Sequence, residues 1–218
     1  MDDPEEKLLS ARRRMVEQHL RVRNIHDERV LAAFEAVPRE RFVPPRSVGE
    51  AYEDHPLPIG DGQTISQPYV VALMVQELAV RPEHRVLDVG VGSGYQTAIL
   101  AKLARWVYGV ERIDALAQRA RRVLGELGIA NVSIEVGDGS VGWPAEAPFD
   151  RIICGAACPD VPESWTDQLA DGGRVVAPVG GEHVQTLVVV EKHPGRLCRR
   201  ELCDVRFVKL IGREGWEA

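Results

Sequence analysis

The sequence has no long hydrophobic run, since its longest apolar stretch covers only residues 69–75. A helix that crosses a membrane needs about 20 apolar residues, so the sequence predicts no membrane span. The N-terminus also lacks the basic start of a secretory signal and reads Met1-Asp2-Asp3-Pro4-Glu5-Glu6 instead. We therefore expect a soluble, cytoplasmic protein.

Cysteine is scarce, with four residues in a chain of 218. The chain is long enough to bury a sizeable core without covalent cross-links, and no export signal precedes it, so free, buried thiols are expected. The six histidines are scattered without the spacing of a metal-binding motif. The sequence therefore predicts no metal site.

An excess of basic residues is also missing, because 27 Lys and Arg face 33 Asp and Glu for a net charge of −6. Broad binding to nucleic acid or to anionic membranes needs a basic surface, so neither partner is expected. The apolar content of 44% is ordinary for a globular protein and too high for a disordered one.

We expect a monomer.

From about residue 80 the sequence alternates short apolar strands with helices, which is typical of a doubly wound α/β fold with a mostly parallel sheet. The last strands lack intervening helices, which predicts an antiparallel C-terminal edge. Residues 1–79 are expected to form a helical segment with a substrate and cofactor loop, and residues 80–218 the α/β core of one compact domain. The predicted strands are residues 85–89, 106–110, 132–136, 149–154, 174–178, 186–190 and 202–208. The predicted helices are residues 5–22, a helix from Asp27 to before Pro38, a helix after Gln67, and residues 95–103, 114–127 and 163–169.

Three consecutive predicted strands each end on an acid beside glycine: Asp88, Glu111 and Asp138. Ligands of open α/β sheets bind at this carboxyl edge. Asp88 directly precedes the turn Val89-Gly90-Val91-Gly92-Ser93-Gly94, where a carboxylate would repel a pyrophosphate and attract a cation. S-adenosylmethionine is cationic and carries no phosphate, so it fits better than a dinucleotide. Taken singly, each feature is also compatible with an ordinary tight turn or helix cap.

Each strand end suggests a different contact with this cofactor. Glu111 can accept hydrogen bonds from both ribose hydroxyls, as acids at this position do in dinucleotide folds. Asp138 can accept from the adenine amino group, and Gly139 lets the ring approach the backbone. The glycines of the turn keep side chains away from the methionine portion; they are Gly90, Gly92 and Gly94.

Residues 86–98 resemble the first motif of class I S-adenosylmethionine-dependent methyltransferases. Residues 57–69, Leu-Pro-Ile-Gly-Asp-Gly-Gln-Thr-Ile-Ser-Gln-Pro-Tyr, resemble the more selective signature of the protein-L-isoaspartate O-methyltransferase family. Further similar segments follow in order over nearly the whole chain; they are residues 36–43, 137–139, 147–150, 155–157, 178–180 and 205–208.

The resemblance implies S-adenosyl-L-methionine as cofactor, S-adenosyl-L-homocysteine as product, and isoaspartyl proteins and peptides as partners. It implies that Ser66 is the active-site serine and that Val208 helps to hold the substrate main chain. Lys209 departs from the family, where proline is usual. The implied cofactor-binding residues are Gln63, Thr64, Ile65, Ser66, Asp88, Gly90, Gly92, Ser93, Gly94, Glu111, Arg112, Asp138 and Gly139.

The implied reaction methylates the free α-carboxylate of an isoaspartyl residue, and the ester then cyclises spontaneously to a succinimide. That carboxylate is ionised at pH 7 and needs no general base, so we expect Ser66 to orient it; Ser66 is also a plausible helix cap. Three other functions stay open: methylation of one dedicated peptide aspartate, a scaffold with a vestigial site, and a dinucleotide oxidoreductase, which Asp88 and Tyr95 disfavour.

Overall fold

A seven-stranded sheet forms the centre of the protein in the computed structural model, which describes residues 3–217. Its strand order is β5-β4-β3-β6-β7-β8-β9. The strands from β3 to β7 run parallel, and β8 and β9 form the antiparallel edge. This confirms the predicted fold class. The strands are β3 (Arg85–Val89), β4 (Trp106–Glu111), β5 (Val132–Val136), β6 (Phe149–Cys154), β7 (Leu169–Gly180), β8 (Gln185–His193) and β9 (Arg196–Val205).

In the described part of the chain, six α-helices surround this sheet or precede it. The first begins after Asp3, whose side chain accepts a hydrogen bond from the Glu5 backbone N–H and so caps the helix. The predicted helix over residues 5–22 becomes irregular after Met15, because a π-helical turn and a 3₁₀ turn follow. The helices are α1 (Pro4–Met15), α2 (Glu28–Ala36), α3 (Pro68–Leu78), α4 (Tyr95–Ala101), α5 (Asp114–Glu126) and α6 (Glu163–Gln168).

A small hairpin lies in the segment rich in proline and glycine before α3, where no strand was predicted. Strand β1 (Leu57–Gly60) pairs antiparallel with β2 (Gln63–Ile65). The turn between them places Asp61 and Gly62 at positive φ angles of 52° and 71°. Strands of four and three residues are too short to show a two-residue alternation in sequence. The hairpin presents residues 63–66 to the edge of the main sheet.

The predicted C-terminal strand over residues 202–208 was misplaced. Strand β9 starts at Arg196, turns back on β8 through Gly195 and ends at Val205, before Val208. Most of its side chains, including Arg199 and Arg200, are exposed at the sheet edge. An edge strand with polar residues on both faces lacks the apolar alternation by which strands are predicted.

The apolar core lies on both faces of the sheet. One cluster joins α1, α2 and α3 to the sheet, and it contains Leu20, Phe34 and Met74 together with Val86. The four cysteines are free thiols; Cys154 and Cys158 are buried as expected, whereas Cys198 is half-buried and Cys203 is exposed. Within residues 3–217, no helix is long and apolar enough to cross a membrane.

Candidate active site

A narrow cavity lies at the carboxyl edge of β3, β4 and β6, where the sequence predicted a cofactor. The three strand ends are joined across the sheet, because Gly90 N donates to Val110 O at 2.8 Å and Gly155 N donates to Val89 O at 2.8 Å. The cavity is lined by the glycine turn, by the end of β4 and by a C-terminal segment. The strand register therefore brings these distant parts of the chain to one site.

The turn after β3 needs glycine for two separate reasons. Gly90, Gly92 and Gly94 all have positive φ angles, of 78°, 54° and 89°, which side chains disfavour. A Cβ on Gly94 would also lie 3.0 Å from the Cβ of Ala120 on α5. Gly90 and Gly92 line the cavity, whereas Gly94 holds α4 close to α5.

Glu111 is the predicted acid that faces the cavity. It is 5% exposed and sits at the end of β4. One carboxylate oxygen accepts from Gly92 N at 2.8 Å, and the other accepts from Ile113 N at 2.9 Å. Each oxygen can accept one further hydrogen bond, so the carboxylate suits a pair of neighbouring hydroxyls. Arg112 also lines the cavity, and its side chain is exposed.

Asp88 is fully buried behind the turn and is not among the residues that line the cavity. Its two oxygens accept from Gln96 Nε2 at 2.7 Å and from Thr97 Oγ1 at 2.6 Å. Ser93 likewise supports the turn, because its hydroxyl accepts from Tyr95 N at 3.3 Å. Direct contact of Asp88 or Ser93 with the cofactor stays a prediction.

Asp138 is bound by protein donors on both of its oxygens. One oxygen accepts from Ser140 N at 2.9 Å and Ser140 Oγ at 2.7 Å, and the other accepts from Arg213 N at 2.8 Å. Burial tends to raise the pKa of this carboxyl, but these hydrogen bonds outweigh burial and lower the pKa. Its neighbour Gly139 does line the cavity, and a Cβ there would lie 2.6 Å from Val89 Cγ1.

The C-terminal segment closes one side of the cavity with residues 208–211. It is held by Ala157, whose N–H donates to Val208 O and whose carbonyl accepts from Leu210 N, both at 2.7 Å. The N–H of Lys209 takes no part in this pairing, so the position also suits a proline. Lys209 Nζ instead pairs with Glu182 at 2.8 Å. The role of this segment was missed, apart from Val208, because residues 209–211, Lys-Leu-Ile, carry no motif and are too few to predict a contact with a distant strand end.

Residues of the predicted cofactor loop, 63–66, line two adjoining sites. Gln63 and Thr64 line the narrow cavity, and Ile65 is buried in the core. Ser66 lines an adjoining open cleft of about 880 Å³. Thr64, Gly155 and Val208 line both the cavity and the cleft. The two therefore meet at this loop.

Ser66 does not cap α3. The residue before the helix is Gln67, and the helix N-terminus is capped by Asp54, whose carboxylate accepts from Tyr69 N at 3.1 Å. Within residues 3–217, the Ser66 hydroxyl has no hydrogen-bond partner, and Ser66 is among the residues that line the cleft. A ligand in the cleft can therefore use this hydroxyl.

Comparison with known proteins agrees with this geometry. Residues 10–215 match the family model of protein-L-isoaspartate(D-aspartate) O-methyltransferase. The chain belongs to this methyltransferase family. Protein-L-isoaspartate O-methyltransferase 1 of Syntrophobacter fumaroxidans is 52% identical over 207 residues, which cover 95% of this chain and 97% of the relative. The relative from Methanoculleus marisnigri is 52% identical over 206 residues, 94% of each chain.

Two solved structures share the whole fold. A protein-L-isoaspartate O-methyltransferase superposes with a TM-score of 0.85 at 30% identity and covers 93% of this chain and 67% of its own. A β-aspartate methyltransferase from Plasmodium falciparum, in complex with S-adenosyl-L-homocysteine, superposes with a TM-score of 0.80 at 28% identity. It covers 92% of this chain and 98% of its own. S-adenosyl-L-methionine is thus the cofactor of the family, and the cavity fits it through the free acceptor sites of Glu111 and the backbone approach at Gly139.

Among the described residues, no group of three or more His, Cys, Asp and Glu side chains is placed to hold a metal ion. The three carboxylates predicted at this edge all accept hydrogen bonds from the protein. Glu111 and Asp138 accept from backbone N–H groups, and Asp88 accepts from side chains.

The burial of Asp88 predicts a pH-dependent stability. Burial raises its pKa to about 6, although hydrogen bonds from Thr97 and Gln96 oppose the rise. The folded state therefore binds this proton more tightly than the unfolded state, and the contribution to stability is lost as the pH rises from about 4 to 6. Between pH 4 and pH 7, wild type should therefore lose on the order of 3 kcal/mol of unfolding free energy relative to Asp88→Asn, which has no carboxyl at this position.

Denaturant titration at several pH values measures this difference. Asp171→Asn, which removes an exposed aspartate from β7, is the matched control. A difference between Asp88→Asn and wild type that stayed constant from pH 4 to pH 8 would contradict the raised pKa.

Proposed function

We propose that this protein repairs damaged proteins by transferring a methyl group from S-adenosyl-L-methionine to the free α-carboxylate of L-isoaspartyl residues. The observation that carries the proposal is the junction of the cavity and the cleft at Thr64, Gly155 and Val208. A cofactor in the cavity and a peptide in the cleft would meet there. The names of the relatives support the same acceptor.

The cavity residues provide binding and orientation for the cofactor. Glu111 can hold the two ribose hydroxyls while Gly92 N and Ile113 N keep its carboxylate fixed. When bound, S-adenosyl-L-methionine supplies an electrophilic methyl group on a sulfonium. Asp88 fixes the first turn of α4 through Gln96 and Thr97.

The cleft residues align the acceptor. The isoaspartyl carboxylate is ionised near pH 7, so no residue has to remove a proton from it. Ser66 Oγ can donate one hydrogen bond to this carboxylate and set its angle. Val208 also lines the cleft, and we assign it a side-chain contact because its carbonyl already accepts from Ala157 N. Fixing two reactants in line can contribute several kcal/mol to the rate.

Replacing Ser66 by alanine tests the orienting role. A hydrogen bond to a charged group contributes roughly 1.5–3 kcal/mol, so we expect Ser66→Ala to lower kcat/KM for an isoaspartyl peptide about 10- to 100-fold. The affinity for S-adenosyl-L-homocysteine should stay unchanged, because Ser66 lines the cleft and not the cavity. Steady-state methyl transfer and calorimetry measure the two quantities.

Ser10→Ala on the exposed face of α1 is the matched control for this substitution. Full turnover by Ser66→Ala would show that the serine hydroxyl does not orient the acceptor.

The decisive assay compares two peptides that differ only in the linkage of one aspartate. We expect labelled methyl groups to appear on the isoaspartyl peptide and not on its aspartyl twin. Equal methylation of both, or activity on one dedicated aspartyl peptide only, would favour the alternative function of peptide modification. No methylation of either peptide would refute both functions.

We also infer that the enzyme acts as a monomer in the cytoplasm. Residues of a single chain suffice to line both the cavity and the cleft, and the free thiols suit a reducing compartment. Light scattering after size-exclusion chromatography tests the first point, and fractionation of the source cells tests the second.

A further inference from the structure

Arg39 is a fully buried cation whose hydrogen bonds reach the active-site loop. It belongs to a 3₁₀ turn, Arg39–Phe42, after α2 and is 0% exposed. Its Nε donates to Ala51 O at 2.7 Å, and its Nη2 donates to Ser66 O at 2.8 Å. The side chain therefore joins the N-terminal segment directly to the residue that faces the acceptor cleft.

No carboxylate forms an ion pair with Arg39 anywhere in residues 3–217, and its Nη1 has no hydrogen-bond partner there. Its guanidinium lies 4.9 Å from the centre of the Tyr95 ring, and Tyr95 is itself buried with an unpartnered hydroxyl. Burial lowers the pKa of Arg39 to about 10, so the group stays charged at pH 7. A buried charge without a counter-ion is costly, and packing alone would be served by an apolar side chain.

The main chain around Ser66 is held from two sides. Arg39 binds the Ser66 carbonyl, while Asp54 accepts from Gln67 Nε2 at 2.8 Å and from Tyr69 N at 3.1 Å. These contacts fix the turn from β2 into α3 and leave the Ser66 hydroxyl free. A cation directly behind the loop also favours an anionic acceptor in front of it.

We propose that Arg39 is a positioning residue for methyl transfer, which holds the Ser66 main chain so that the serine hydroxyl meets the acceptor carboxylate. The proposal rests on the proposed function, because it assigns Arg39 a role through Ser66 in that reaction. It predicts an effect on turnover of the bound isoaspartyl peptide rather than on cofactor affinity.

A double-mutant cycle tests this role. Arg39→Met keeps the length and removes the charge and both hydrogen bonds. Because small errors of position at a reacting centre can cost up to about 100-fold, we expect kcat to fall about 10- to 100-fold. In the Ser66→Ala background, the same change should alter kcat by no more than about twofold, since the two residues act as one unit. The affinity for S-adenosyl-L-homocysteine should be preserved.

A second variant and a control separate positioning from folding. Arg39→Lys keeps the charge and one donor group, so its kcat should be higher than that of Arg39→Met. If Arg39→Met does not fold, Arg39→Lys replaces it in the double-mutant cycle. Arg12→Met is the control, because Arg12 is a largely buried arginine of the same N-terminal segment that bridges Tyr52 and Glu40 without touching Ser66. It should lower thermal stability and leave kcat unchanged.

The outcomes are distinguishable from a failure of the proposed function. Equal losses of kcat in the wild-type and Ser66→Ala backgrounds, or unchanged kcat in Arg39→Met, would overturn the positioning role while wild type still methylates isoaspartyl peptides. A wild-type protein without that activity would refute the function itself.

Discussion

Replacing Glu111 by glutamine is expected to weaken the binding of S-adenosyl-L-homocysteine about 100-fold. The carboxylate presents two charged oxygens to the cavity, and each is held by one backbone N–H. Glutamine keeps one acceptor and turns an amide donor toward Gly92 N or Ile113 N. Loss of one charge-assisted hydrogen bond and weakening of the other amount to about 3 kcal/mol. Isothermal titration calorimetry measures the change.

Glu135→Gln is the matched control for this experiment, because Glu135 is an exposed acid on the neighbouring strand β5. Its affinity for the product should equal that of wild type. If Glu111→Gln bound the product as tightly as wild type does, the cofactor would not lie against the end of β4.

Removing the side chain of Trp165 should have the largest effect on stability. Trp165 on α6 is fully buried, and its Nε1 donates to Gly139 O at 2.9 Å. We expect Trp165→Ala to lower the free energy of unfolding by about 3–5 kcal/mol, since it leaves a large cavity. It should also weaken cofactor binding, because Gly139 lines the cavity. Denaturant titration and calorimetry report the two effects.

Trp165→Phe separates packing from the hydrogen bond. It fills most of the space but leaves the Gly139 carbonyl without its donor, at a cost of about 1–3 kcal/mol. Trp106→Phe is the control, because Trp106 is only half-buried and donates to Ser133 Oγ at 3.1 Å. Equal stability of Trp165→Ala and wild type would contradict the packing role of Trp165. Equal stability of Trp165→Phe and wild type would contradict the anchoring of Gly139 by α6.

The sequence predicted the sheet and the main cavity because both follow from local patterns. Short apolar strands alternating with helices give parallel strands, and parallel strands bring their carboxyl ends to one edge. Glu111, Gly92 and Gly139 therefore could be placed together without a structure. The short strands β1 and β2 could not, since four and three residues are too few for an alternation to be recognised in the sequence. The edge strand β9 could not either, since it carries polar residues on both faces.

The contacts of Asp138 and Arg39 were also beyond sequence reasoning. Arg213 N reaches Asp138 from 75 residues along the chain, and Arg39 reaches Ser66 over 27 residues. Neither spacing follows a helical or strand period, so only tertiary packing brings these groups together. For Asp138, a carboxylate at a strand end predicted a ligand contact, which stays a prediction; that its oxygens accept from the C-terminal segment and from Ser140 did not follow from the sequence.

The partition between Thr64, Gly155 and Val208 has a consequence for the order of events in turnover. In the proposed function, the cofactor would occupy the cavity on one side of these residues and the peptide would occupy the cleft on the other. The cofactor would then not have to pass through the cleft, nor the peptide through the cavity, to enter or leave. A methylated protein would then not need to leave the cleft before S-adenosyl-L-homocysteine leaves the cavity.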